Sequence, residues 1–423
     1  MLRAGGLRNA HMESSTVSME LRLTTNGGAD SEGAVSAPRP AAWGAVFALS
    51  LGAFALVASE FMPVSLLTPV AGDLGISEGQ AGQAISVSGA FALLTSLFMA
   101  PLAGRLDRKI LLLALTGMMI VSGTVAAFAP NYTLFMVGRA FIGVAIGGFW
   151  SMSAATAMRL VPVEKVPRAL AILNGGNALA TVVAAPLGSY LGGVIGWRGA
   201  FFCLVPVAAI ALAWKLVSLP PLPSAGSASL GAVFRLLKRP AIVLGMAGTG
   251  LFFMGQFALY TYLRPFLEAV THAGVSTLSL LLLLVGVAGF VGTTLIGGFL
   301  KQHMYRTLVT IPLVMAIIAG GLLAWGGSLA ATAVLLCLWG LAATAAPVGW
   351  WTWLAKSLPD EAEAGGGLMV ATVQLAIAGG ATLGGLLFDT RGHAATFSLS
   401  AGILLLGALL AALAARAARS EEA

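Results

Sequence analysis

Residues 43 to 70 read WGAVFALSLGAFALVASEFMPVSLLTPV, and Glu60 is the one ionisable side chain in the run. About 20 apolar residues suffice for a helix to cross about 30 Å of hydrocarbon, so this stretch can span a membrane. A carboxylate inside such a span costs about 2.5–3.5 kcal/mol on insertion scales. A residue that expensive is expected to face a cavity or a partner. Ala58-Ser59-Glu60-Phe61-Met62-Pro63 is therefore the first place to look for function.

The remainder of the chain has the same character. Of its 423 residues 58% are hydrophobic and 9% charged, against about 25% charged in soluble domains. Mean hydropathy is +0.93. These values indicate a polytopic membrane protein, with room for about a dozen spans and no large soluble domain. The sequence pI near 9.8 does not imply nucleic acid, because Lys and Arg are scattered over the loops and form no basic, aromatic-interleaved face. Cys203 and Cys337 stand alone in apolar runs, and His11, His272, His303 and His393 are dispersed. No disulfide framework, metal site or cofactor is expected. No nucleophile–base pair or Gly-x-x-x-x-Gly-Lys-Ser/Thr motif stands out, so an enzyme or a nucleotide-driven pump is not expected.

The polar residues 1–41 form an expected disordered cytoplasmic tail. Spans are expected at 43–70, 82–104, 110–129, 132–158, 168–194 and 199–218, then at 241–263, 275–300, 305–325, 329–355, 366–388 and 394–415. The Pro-rich, basic segment 219–240 separates them, giving six-helix halves at 42–218 and 241–415, with a cytoplasmic tail at 416–423. The expected fold is all-α and integral to the membrane, with twelve transmembrane helices in two pseudo-symmetric halves. Paired halves of this kind belong to alternating-access transporters. Arg105, Arg108, Lys109, Arg159, Lys165, Arg168, Lys215, Arg235, Lys238, Arg239, Lys301, Arg306, Lys356, Arg416 and Arg419 collect on one side. Only Arg198, Arg264 and Arg391 fall on the other, which puts both termini in the cytoplasm.

At about 1.5 Å per residue, Glu60 lies about 14 Å from the outer end of its span and Arg139 about 13 Å from the outer end of the fourth. The two are expected at matched depth, either as a pair that a proton or solute breaks or as a permanent structural pair. Asp107-Arg108-Lys109 is expected to latch the cytoplasmic side, with Asp107 at the start of span eleven near Gly365-Gly366-Gly367. Pro186 kinks span five, and Gly188 and Gly192 give it a small-residue face that suits either gating or plain packing. Gly143 and Gly147 on span four are expected to serve packing. Expected solute contacts are Asn174, Asn177, Gln256, Tyr260, Tyr262, Trp350, Trp353 and Gln374, polar or amphipathic residues within spans. Trp350 and Trp353 read equally well as an interfacial belt. Asn131-Tyr132-Thr133 matches a glycosylation acceptor but is better read as a helix N-cap.

Four motifs together resemble the major facilitator superfamily, in its twelve-span drug:proton antiporter branch. They are Gly104 to Lys109 after span two, Arg139-Ala140-Phe141-Ile142-Gly143, Ala185-Pro186-Leu187-Gly188, and Gly196-Trp197-Arg198-Gly199-Ala200-Phe201. Ser59 to Pro63, continuing to Asp73-Leu74-Gly75-Ile76-Ser77, looks like the sugar and nucleoside exporters of that branch. The resemblance implies gating by Asp107, Arg108, Pro186 and Gly188, and proton coupling through Glu60 and Arg139. It further implies export of purine ribonucleosides or related neutral molecules by proton antiport from a bacterial inner membrane. Export of an arabinose-like sugar or of varied drugs, and substrate sensing without transport, are the alternatives. The expected partners are a small-molecule substrate, protons and the lipid bilayer, with no nucleic acid, and the chain is expected to be monomeric. Two departures are visible: the turn motif lacks the usual Gly-Arg after Asp107-Arg108, and Ala185 replaces a usual glycine.

Overall fold

The computed structural model describes residues 41–103, 106–223, 235–358 and 361–422. The expected N-terminal tail, apart from Ala41, and residues 224–234 of the linker lie outside the described residues. The helices are α1 (Trp43–Leu74), α2 (Glu78–Ala103), α3 (Arg108–Ala127), α4 (Tyr132–Arg159), α5 (Val166–Val194), α6 (Gly196–Phe202), α7 (Leu204–Ser218), α8 (Pro240–Tyr260), α9 (Leu263–Ala269), α10 (Val275–Trp325), α11 (Leu329–Ser357) and α12 (Ala362–Glu422). Local chemistry sets several of their ends. The Asn131 side chain accepts from the Leu134 N–H at 2.9 Å, the N-cap role its position suggests. Gly75 closes α1 in the left-handed region at φ 63°, where a Cβ would be strained.

Among the described residues ten stretches are long and apolar enough to cross a membrane, with α6–α7 and α8–α9 each forming one. Two of the ten are double. α10 breaks at His303 (φ −140°, ψ 47°), and α12 breaks at Gly392 (φ 75°, ψ −173°). Dividing them there gives twelve spans in two halves. The sequence suggests wider turns at these places, but the helices run on to Gln302 and Arg391 and each break at one residue. At Gly392 the positive φ favours glycine.

The two ends of the bundle are fastened differently. At one end, where α1 begins, the Ala42 N–H donates to Leu160 O at 2.9 Å. The first part of the linker is bound here as well. Asp107 does not reach span eleven: it caps its own helix by accepting from the Lys109 N–H at 2.7 Å and takes the Leu222 N–H at 3.0 and 3.1 Å. The Arg108 N–H donates to Leu222 O at 3.0 Å, Lys109 Nζ to Leu219 O at 2.6 Å, and Arg159 to Pro223 O at 2.9 Å. Among the described residues, these bonds of Asp107 and Lys109 therefore fasten the start of the linker to the first half. Gly104 and Arg105 of that motif lie outside the described residues. We call this the linker end and its opposite the distal end.

At the distal end the halves themselves are joined, α2 to α12, α5 to α10 and α1 to α9. Small residues permit the close approach that helix packing in lipid requires. Gly188 and Gly192 of α5 face Met62, Ser65 and Leu66 of α1, while Gly143 and Gly147 of α4 lie on the Ser88 and Ala92 carbonyls of α2. The Pro186–Gly188 motif is thus seated on the segment of α1 that follows Glu60.

Lys215 corrects one reading. Counted among the cytoplasmic charges, it is instead fully buried. Its Nζ donates to Thr116 Oγ1 at 2.8 Å, lies 5.2 Å from the Phe149 ring centroid and rests against Gly52. The long aliphatic stem lets the ammonium reach inward as readily as outward, so a place in the last turn of a span does not by itself put the charge outside.

Candidate functional site

The site begins with a missing hydrogen. Pro63 has no N–H, so the Ser59 carbonyl, four residues earlier in α1, loses its helical donor. In a membrane interior that oxygen needs another partner, and Arg139 of α4 supplies one. Its Nη1 donates to Ser59 O at 2.8 Å and its Nη2 to Glu60 O at 3.2 Å. Nε reaches Ala84 O at 3.2 Å and Nη2 also reaches Ser88 Oγ at 3.4 Å, both on α2. The guanidinium is fully buried and ties three helices together. The depth match does bring Arg139 to residue 60, but to its backbone. Neither Glu60 nor Arg139 takes part in an ion pair among the described residues, where the pairs are Arg198–Asp73 and Arg264–Glu268.

The Glu60 carboxyl points to the other half. It is 6% exposed, and its Oε1 accepts from Gln374 Nε2 of α12 at 3.4 Å. The Gln374 Oε1 is buried without a partner. A primary amide can serve either state of a carboxyl group, donating its NH₂ to a carboxylate or offering its oxygen to a protonated acid. The pair can therefore accommodate a proton without losing its hydrogen bond.

Phe61, the residue after Glu60, lines a cavity at the seam of the halves, about 530 Å³ of space that includes its opening to solvent. α1 and α5 contribute Phe61, Thr181, Ala184 and Ala185, while α8, α10 and α11 contribute Gln256, Phe257, Tyr260, Gly286, Trp339 and Thr344. Phe61 stacks on Phe257 with centroids 5.7 Å apart, and Tyr260 meets Phe257 edge-on at 6.1 Å. Two polar atoms of the lining are buried and unpartnered, Gln256 Oε1 and Trp339 Nε1. The lining residues thus carry aromatic faces, an indole N–H, the Tyr260 hydroxyl and one amide. Such a set suits a flat, neutral, polar-edged solute.

Of the residues read from sequence, Gln256 and Tyr260 line the cavity, and Gln374 sits at Glu60. The others go elsewhere. Tyr262 is buried and donates to Ala381 O at 2.8 Å. Trp350 and Trp353 are buried against Gly248 and Gly245 of α8, edge to face at 5.9 Å, so they form neither an interfacial belt nor the chamber wall. Asn174 is exposed and donates to Leu170 O at 2.9 Å, and Asn177 is half-buried. Phe61, Thr181, Trp339 and Thr344 were missed. Phe61, next to Glu60, was the one with a positional signal; the others are isolated within apolar spans, where sequence does not show which face meets the other half.

Two six-span halves enclosing a seam cavity and a buried carboxyl define a multi-pass membrane transporter. The chain belongs to the Major Facilitator Superfamily, whose family model matches residues 49–381. It is 61% identical over 378 residues to the "Transcription regulatory protein OpdE" of Pseudomonas aeruginosa, covering 88% of this chain and 94% of that protein. It is 42% identical over 370 residues to the "Purine ribonucleoside efflux pump NepI" of Salmonella paratyphi B, covering 88% and 93% respectively. In fold it is similar to a POT family transporter bound to 5-aminolevulinic acid (TM-score 0.74, 12% identity, 89% and 96% covered). It is likewise similar to a D-xylose–proton symporter (TM-score 0.69, 17% identity, 87% and 97% covered).

Proposed function

We propose that this protein exports purine ribonucleosides or closely related neutral heterocycles in exchange for protons, across a bacterial inner membrane. The linker end and both termini face the cytoplasm, and the working unit is a single chain. The observation that carries this reading is the juxtaposition of the Glu60–Gln374 contact, made across the halves, with a seam cavity walled by aromatic rings and holding an unpaired amide and indole. The base of the solute stacks on the aromatic wall and its polar edge takes the Gln256 amide and the Trp339 N–H. Glu60 carries the proton, with Gln374 pairing to either of its forms. One proton entering down 100 mV gains about 2.3 kcal/mol, while tenfold accumulation of a neutral solute costs about 1.4 kcal/mol. A one-for-one exchange is sufficient.

The deciding experiment is flux in proteoliposomes under an imposed pH gradient, with inosine, guanosine, adenosine, arabinose and a lipophilic cation as solutes. Gradient-dependent movement of a purine nucleoside is expected, and its absence for all three sinks the substrate assignment. A second reading, that the protein senses such a solute without net transport, draws on the regulatory name of the 61% identical relative. Saturable nucleoside binding with no flux under any gradient would favour it.

A further inference from the structure

α1 contains a second proline, and it repeats the logic of the first. Pro69 has no N–H, so the Ser65 carbonyl is left without its helical donor. Arginine again fills the gap: Arg264 Nη1 donates to Ser65 O. The two arginines differ in origin. Arg139 comes from α4, in the same half as α1, whereas Arg264 comes from α9, in the other half. The first bond moves with α1. The second spans the seam, and it must break when the halves part at the distal end.

We infer that Arg264 and the Ser65 carbonyl freed by Pro69 form a latch that holds the distal end closed, making Arg264 a gating residue of the transport cycle. Its surroundings fit that role. Arg264 is 6% exposed, and its Nε is held by Glu268 one turn later at 2.8 Å, so the guanidinium is already aimed at α1. Close by, Asp389 of α12 caps the start of α2 across the same seam, accepting from the Gly79 N–H at 2.9 Å and from Ser77 Oγ at 2.6 Å. A Cβ at Gly79 would run into Asp389 and the Gly385 carbonyl. The latch thus lies within a closely packed contact between halves.

The latch is strong when dry and weak when wet. While closed, water is excluded and Ser65 O has no other donor from its own helix. When the distal end opens, water hydrates that carbonyl and Arg264 keeps Glu268 as its partner. Alternation therefore need not leave the Ser65 carbonyl or the Arg264 guanidinium without a partner in either state. The proposal requires only that the halves alternate, and it stands or falls independently of which solute is carried.

The test uses the full chain in nanodiscs, with Cys203 and Cys337 replaced and spin labels at Thr133 and Ala330. Both positions are exposed at the distal ends of α4 and α11. Arg264→Gln is expected to raise the long-distance population several-fold in a double electron–electron resonance measurement. Arg264→Lys, which keeps a charged donor, is expected to stay near the parent distribution. Pro69→Ala is expected to shift the same way as Arg264→Gln, because a helical N–H then competes for Ser65 O, and the double variant should add little beyond the larger single change. An unchanged distribution in a monodisperse Arg264→Gln protein overturns the proposal. Should that variant fail to fold, Pro69→Ala decides: an unchanged distribution there overturns it as well.

Discussion

Ser59 and Ser65 carry the same defect and receive the same remedy, yet the consequences differ. Each carbonyl lacks a donor because a proline follows four residues later, and each is met by an arginine. At Ser59 the arginine belongs to the same half and bonds three helices at once; at Ser65 it reaches over from the other half. Identical chemistry gives a permanent clamp in one place and a separable contact in the other. What distinguishes them is which rigid body supplies the donor.

The sharpest way to break this comparison is to remove the first arginine. Arg139→Leu leaves the Ser59 carbonyl open in a dry site, at about 1–3 kcal/mol, while Ala84 O keeps its bond from Ser88 Oγ at 3.1 Å. Its thermal transition in detergent is expected to fall far below that of Arg264→Gln, whose site can hydrate. Equal losses in the two variants would dissolve the distinction between clamp and latch.

Next in size is Glu60→Gln, which keeps the shape and removes the titratable proton. Uphill, gradient-driven transport is expected to be abolished while solute exchange at zero gradient persists. Retained accumulation in that variant would place the coupling site elsewhere. In the cavity, Trp339→Phe removes the one indole donor and should weaken solute binding by about 1 kcal/mol, or 5–10-fold. Titration calorimetry on the purified protein would detect this, and unchanged affinity would remove Trp339 from the solute contact.

The smallest effect concerns the linker end. Asp107→Ala removes a helix N-cap and an acceptor for Leu222, at a cost of about 1 kcal/mol in stability. Because those bonds reach only its own helix and the start of the linker, the variant should leave the distance between labels on the two halves unchanged. A widened linker end would restore the role of a latch between halves to Asp107.

Much of the fold was legible because apolar length is a local property. The twelve spans in two halves and the Asn131 cap follow from residue type and spacing. The one-residue breaks at His303 and Gly392 were harder to see, since the flanking residues are good helix formers up to the break. The site was legible only in part. Glu60, Gln256, Tyr260 and Gln374 stand out as polar groups in apolar runs. Trp350 and Trp353 stand out equally, yet they face the glycines of α8 instead of the seam.

The sequence by itself determined that this protein is a bundle of membrane helices and that α1 holds one costly carboxylate and two orphan carbonyls, since both follow from what a proline lacks and what lipid cannot provide. Only the tertiary structure decided where the donors come from. Matched depth suggested that Arg139 would pair with the Glu60 carboxylate. The fold gives its guanidinium to the backbone instead, because the freed Ser59 carbonyl lies toward α4 while the Glu60 side chain points across the seam to Gln374. Direction around a helix, and the half from which a partner arrives, are set by packing and are not written in spacing along the chain.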